Sequence, residues 1–189
     1  KKLYLLYDQI YWTLTYGETQ HYNPVSLRPS MKDYTIFIDG ISKALAATGV
    51  RVGWSMGPSY LIDKMKAINS HVGAWSPMAE QYATAAYLKN NNIDAYLNKF
   101  RADLSIRLSK IYDGILKLKQ EGFAVDAVEP QAAIYLTIKF DLVNKTTKAG
   151  KKLVTQADVT HYILNEAKLA IVPFTSFGAS STSSWYRLS

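Results

Sequence analysis

Apolar positions along this chain change rhythm several times, and each change marks an element. Residues 3–7 form a short continuous apolar run that ends at Asp8 and reads as a buried strand. Residues 17–34 are polar and carry Gly17, Asn23-Pro24 and Arg28-Pro29, which reads as a loop. Residues 34–39 and 50–56 are two further β-rich runs, the second closed by Gly57-Pro58. From Ser59, placed to cap a helix start, the pattern turns helical through Leu61, Ile62, Met65 and Ile68. A break at residues 71–77 separates it from a second helix, Met78–Leu88, which ends before Asn90-Asn91-Asn92.

The clearest periodicity follows. Ile93, Leu97, Phe100, Leu104, Leu108, Ile111, Ile115 and Leu118 recur every three or four residues, and Gly122 stands where a helix would stop. At 1.5 Å per residue this predicts a helix on the order of 40 Å long, enough to bridge two lobes. Beyond it, residues 132–140 read as a strand. Residues 156–167 read as a helix with Val159, Ile163 and Leu164 on one face, and residues 169–173 as a strand. Residues 175–184 form a Gly/Ser/Thr-rich loop before a last strand at residues 185–188. There is no internal repeat. An α/β half precedes an α+β half, which predicts parts at residues 1–92, 93–121 (the bridging helix) and 122–189.

Composition narrows the class. The chain has 189 residues, 48% apolar and 20% charged, which is enough for a real core and unlike a disordered segment. No apolar stretch approaches the roughly 18–20 residues of a membrane helix. There is no Cys, hence no disulfide framework and no thiolate metal site; this fits a reducing, cytoplasmic compartment. Both ends fall in strand-like sequence, so the chain is expected to be a portion of something longer. The formal charge of +7 raises a nucleic-acid partner. The basic residues are spread out, however, and the 14 Tyr do not alternate with them in a stacking pattern. The local excess between Lys139 and Lys152 includes a turn-like stretch from Asn144 to Gly150 that reads as a solvated hairpin tip. Neither a nucleic acid nor a membrane is expected as a partner.

Four residues stand out for chemistry. Asp8 lies at the C-terminal end of a strand, where α/β sheets place ligands, and Tyr11 is three residues on. Lys43 follows another strand in Gly40-Ile41-Ser42-Lys43, and Arg51 comes eight residues later. Singly, each has an ordinary reading as a solvated or ion-paired group. Together, an acid, a phenol, a lysine and an arginine at strand ends suit an anionic carbonyl cofactor.

Their flanks carry a resemblance. The segment from Ile38 to Trp54 contains Ser42-Lys43, a small-residue stretch, Thr48-Gly49, Arg51 and Val52-Gly53. It is similar to the cofactor-lysine signature of class I/II aminotransferases, fold-type I pyridoxal-phosphate enzymes. Residues 5–11, with Asp8-Gln9-Ile10-Tyr11, resemble the family's strand ending Asp-Glu-aliphatic-Tyr. The tail with Val172-Pro173-Phe174, Gly178 and Tyr186-Arg187-Leu188-Ser189 resembles its closing motif. The resemblance implies an aspartate-aminotransferase-like C-terminal portion: later strands of the large-domain sheet, a bridging helix and an α+β small domain.

The resemblance also implies roles. Lys43 would hold pyridoxal 5'-phosphate through its amine and then move the substrate's α-proton, work that partial burial and nearby positive charge favour. Arg51 would pair with the phosphate through its guanidinium fork. Asp8 would face the pyridine nitrogen, Tyr11 would donate to the phenolic oxygen, and Arg187 would clamp the substrate α-carboxylate. Substrates would be an amino acid and a 2-oxo acid, and the protein a homodimer. Gln9 stands where many members have Glu, and Gly40 where some place a phosphate-binding Ser. Residues 71–77 hold no Arg for a second carboxylate; His71 and Trp75 there suit packing or substrate shaping. A phosphate loop, a ring-stacking aromatic and an Asn that members carry upstream are not in these residues, so the 189 residues alone are expected to be inactive. A C–S β-lyase using the same cofactor and a non-catalytic ligand-sensing domain remain open alternatives.

Overall fold

The computed structural model describes residues 3–89 and 92–189. Asn90 and Asn91 of the expected boundary, like Lys1 and Lys2, lie outside the described residues. The chain divides into two compact units between Ala102 and Asp103.

In the first unit β1 (Leu5–Asp8), β2 (Thr35–Gly40) and β3 (Gly53–Met56) form a sheet in that order. β1 runs parallel to β2, and β3 antiparallel to it. Central β2 is the buried strand, with Thr35, Ile36, Asp39 and Gly40 inside. β1 corrects the expectation of a buried strand, because Leu5 is 36% and Leu6 65% exposed. Among the described residues it pairs with β2 alone, and since successive side chains point to opposite faces, the exposure of both Leu5 and Leu6 leaves both faces open.

The expected loop between β1 and β2 contains α1 (Pro24–Leu27) and a 3-10 turn at Pro29–Asp33. The Asn-Pro and Arg-Pro pairs start these turns. The Asn23 side chain accepts the N–H groups of Val25 and Ser26, and Pro24 occupies the first turn, where its missing N–H costs nothing. After β2 comes α2 (Ile41–Ala44), one turn long. α3 (Ser59–Val72) follows β3, with Pro58 as its N-cap, where Ser59 was expected. The Pro58 carbonyl accepts from Leu61 and Ile62 N–H, so no side-chain cap forms. α3 ends at Gly73, whose φ of 69° is the left-handed C-cap geometry that suits glycine. α4 (Met78–Leu88) and the start of α5 (Ile93–Gln120) complete the unit, and the division between units falls inside α5. α5 has the expected period and stops before Gly122, but of the eight periodic apolar positions only Leu108 is buried.

The second unit holds an antiparallel sheet in the order β4-β5-β7-β6, from β4 (Val125–Ala127), β5 (Leu136–Phe140), β6 (Val172–Pro173) and β7 (Trp185–Leu188). β4 is too short to show alternation in the sequence. α6 (Gln156–Asn165) begins in a capping box between Thr155 and Asp158. The N–H and hydroxyl of Thr155 both donate to the Asp158 carboxylate, holding it below the usual carboxylate range. Val159 and Ile163 are buried from α6, whereas Leu164, expected on the same face, is 48% exposed. At 100° per residue, adjacent Ile163 and Leu164 diverge, and the face follows Val159 and Ile163 four apart. Tyr186 is fully buried, and its hydroxyl accepts from Gln156 Nε2 at 2.6 Å, which ties α6 to β7. The expected hairpin tip forms. Thr146 bridges Lys152, and the residues between are mostly exposed. Among the described residues no helix is long and apolar enough to cross a membrane.

Candidate active site

The chemistry-bearing residues of the first unit collect at one edge of its sheet. β1 and β2 are parallel, so the end of β1 at Asp8 and the end of β2, shortly before Lys43, lie at the same edge. β3 is antiparallel to β2, so its N-terminal end, preceded by Arg51, returns to that edge. This is where α/β sheets leave a crevice for ligands. Asp8 is exposed, and its Oδ1 accepts the N–H of Ile10 at 3.1 Å, which fixes the carboxylate as the chain turns out of β1. Tyr11 is half-buried in that turn, and its carbonyl accepts from Leu14 N–H at 2.8 Å. The turn is anchored below by fully buried Leu14 and by Tyr16, whose phenol burial pushes up to about 12.

Asp39 ties this turn to β2. Its buried carboxylate accepts from Trp12 Nε1 at 2.9 Å and Gln9 Nε2 at 3.2 Å. Both donors lie just after Asp8, while Asp39 lies four residues before Lys43, so one carboxylate spaces the two candidate groups. The sequence reading missed it. The one available signal was a charged residue in an otherwise apolar strand.

Lys43 is half-buried on the single turn of α2. The next segment is unusual in its backbone, because Ala46 and Arg51 both have left-handed φ, 49° and 62°. Non-glycine residues rarely adopt it, and such strain concentrates at functional loops. Arg51 Nη1 donates to the Thr48 carbonyl at 2.7 Å, using one of its five N–H groups to hold an otherwise exposed guanidinium in place.

Gly40, which opens α2, is there for close approach. A Cβ on it would lie 2.8 Å from the Val52 carbonyl oxygen and 3.0 Å from Gly53 Cα, both backbone. Gly40→Ala should therefore push β3 from β2 and lower stability by about 1–3 kcal/mol. Thermal unfolding of Gly40→Ala against Gly49→Ala checks this, since a Cβ at Gly49 meets nothing within 4 Å. Equal melting points for the two variants would refute the clash.

Trp75 is 55% exposed beside an open groove of about 610 Å³ lined also by Asp39, Trp54, Met65 and Gln81. His71 is exposed on α3.

In the second unit, Arg187 lies on β7, opposite Thr137 of β5 and Val172 of β6. Its Cζ stands 4.4 Å from the Tyr135 ring centroid and 4.6 Å from that of Phe177. Its Nε is buried without a hydrogen-bond acceptor among the described residues. A cation held against apolar rings with an unmet donor is suited to a carboxylate. The sequence reading did not find Tyr135 or Phe177 as partners of Arg187. Tyr135 lies two positions before Arg187's cross-strand partner, the diagonal at which aromatic rings reach, but only with the strand register known.

An amine, a carboxylate, a phenol and a guanidinium at one sheet edge fit an anionic carbonyl cofactor that carries a basic ring nitrogen and a phosphate. Comparison with known proteins identifies the family. The family model described as aminotransferase class I and II matches residues 1–189. An aspartate aminotransferase of Geobacillus stearothermophilus is 34% identical over 173 residues, covering 91% of this chain and 41% of that protein. The crystal structure of the aspartate aminotransferase from Rhizobium meliloti superimposes with a TM-score of 0.86 at 28% identity. It covers 98% of this chain and 44% of that one. The Thermus thermophilus aspartate aminotransferase with maleate gives 0.82 at 27% identity, covering 98% and 43%. The chain thus spans about two fifths of the length of the relatives it matches.

Proposed function

This chain belongs to the class I and II aminotransferases, fold-type I enzymes, and from that premise we propose that the protein moves an amino group from an α-amino acid to a 2-oxo acid. The cofactor of this reading is pyridoxal 5'-phosphate. Pyridoxal phosphate, when bound, supplies an electron sink for the pair left behind as the α-proton departs. The protein acts as a cytoplasmic homodimer. The observation that supports the reading best is the convergence of Asp8, Lys43 and Arg51 on one edge of the β1-β2-β3 sheet.

Each residue has a task that its chemistry suits. Lys43 would hold the cofactor through Nζ, and the same nitrogen is the base suited to take the substrate's α-proton. The one-turn helix carries Lys43 directly after β2. Arg51 holds the phosphate oxygens through its remaining N–H groups, and its bond to Thr48 keeps the guanidinium from swinging away. Asp8 accepts a proton-bearing ring nitrogen on its carboxylate, which Ile10 N–H keeps in position. Tyr11 donates to the cofactor's phenolic oxygen. Arg187 takes the α-carboxylate of the amino acid in two parallel hydrogen bonds. The names of the relatives favour an aspartate-type donor.

The intact protein, supplied with pyridoxal phosphate, aspartate and 2-oxoglutarate, is expected to form glutamate and oxaloacetate in equal amounts. It should release no ammonia. Pyruvate, ammonia and thiol released from a cysteine S-conjugate without any 2-oxo acid would instead identify a lyase and overturn the transfer reading.

A further inference from the structure

We infer that Tyr135 and Phe177 are positioning residues for Arg187, holding its guanidinium in the orientation that meets a carboxylate; this rests on the reading of Arg187 as the carboxylate residue. β7 lies between β5 and β6 in the sheet, so the two rings reach Arg187 from its two flanks. Tyr135 immediately precedes β5, and Phe177 closes the 3-10 turn Phe174–Phe177 that follows β6. Their centroids lie 4.4 and 4.6 Å from Cζ, within the range of an attractive cation–π contact.

An arginine side chain has several rotatable bonds, and fixing it costs conformational entropy at the moment of binding. Rings that hold it beforehand remove that cost, which is preorganisation. They also keep water from the flanks of the cation, which strengthens its attraction for an anion. Arg187 Nε itself is buried without an acceptor among the described residues.

Phe177 is itself held. It packs edge-on against Phe174 at 6.3 Å, and the turn ends at Gly178 with φ 87°. Ala179 N–H returns to the Phe174 carbonyl at 3.2 Å, closing the turn behind the ring. Phe177 is nevertheless 57% exposed.

The test uses the full-length holoenzyme and valerate, a carboxylate without an amine, as the probe. Phe177→Leu and Tyr135→Leu keep apolar bulk and remove the ring face. Each should raise the valerate dissociation constant and the amino-donor KM about 2- to 30-fold, with kcat changed much less. Phe177→Tyr should restore wild-type values. In 15N NMR, the Arg187 Nε–Hε signal should lose, in each leucine variant, the share of its ring-current shift that comes from the ring removed. Because Phe177 is exposed, its variant folds even where Tyr135→Leu does not. Wild-type valerate binding in Phe177→Leu, with Arg187→Ala binding none, would overturn the positioning role and leave the clamp standing. Unchanged binding in Arg187→Ala would overturn the clamp itself.

Discussion

Replacing Lys43 by alanine in the intact protein is expected to lower the amino-transfer rate by at least about 10²–10⁴-fold, the usual contribution of one positioned general base. The loss should exceed that range if the amine also anchors the cofactor. Alanine is the best helix former, and the carbonyl of residue 43 still accepts from Ala46 N–H at 3.2 Å, so α2 should survive. Activity should therefore fall while the cofactor-free proteins melt at the same temperature. Borohydride treatment in the presence of pyridoxal phosphate should add cofactor mass to the peptide carrying Lys43 in the wild type and to no peptide in the variant. A labelled peptide elsewhere would move the attachment point and sink the assignment.

Arg187→Ala is expected to be the second large effect. Removing one partner of a hydrogen-bonded charge pair costs about 2–5 kcal/mol. At 1.4 kcal/mol per decade, this is a loss of roughly 30- to 4,000-fold in kcat/KM for the amino donor. Arg187→Lys should recover little, because a point charge lacks the bidentate fork. The fold should hold, since Arg187 Nε satisfies no acceptor among the described residues that its loss would strand. Cofactor absorbance should be unchanged. A variant that loses the cofactor but binds amino acid normally would contradict the carboxylate role.

Much of the candidate site was legible because its signals are local. The interval between Lys43 and Arg51, the Thr48-Gly49 pair between them and the Asp8-to-Tyr11 turn are all read within a few residues of each other. The helices α4 and α5 were legible for a similar reason, since a 3.6-residue period shows itself over ten or more positions. The loop at residues 17–34 misled because proline marks both the end of one element and the first turn of the next. Whether Asn23-Pro24 breaks or begins a helix depends on the Asn23 side chain bonding forward to Ser26 N–H, which composition does not show.

Burial was the least legible property. The apolar run at residues 3–7 implied a strand covered on both sides, but cover is supplied by groups distant in sequence, and among the described residues Leu5 and Leu6 on opposite faces stay exposed. Partners across strands were hidden for the same reason. Asp39 meets Gln9 and Trp12, and Arg187 meets Tyr135 and Phe177, through register and not through spacing.

The sequence by itself determined the family resemblance, the candidate residues and the order of the elements, because motifs and periodicities are short-range patterns of residue type. Only the tertiary structure decided that β3 turns back to bring Arg51 to the edge that carries Asp8 and Lys43. Only it decided which carboxylate braces that edge and which rings hold Arg187. Strand pairing and side-chain contact are long-range events, settled by where buried groups find partners and not by the residues beside them in the chain.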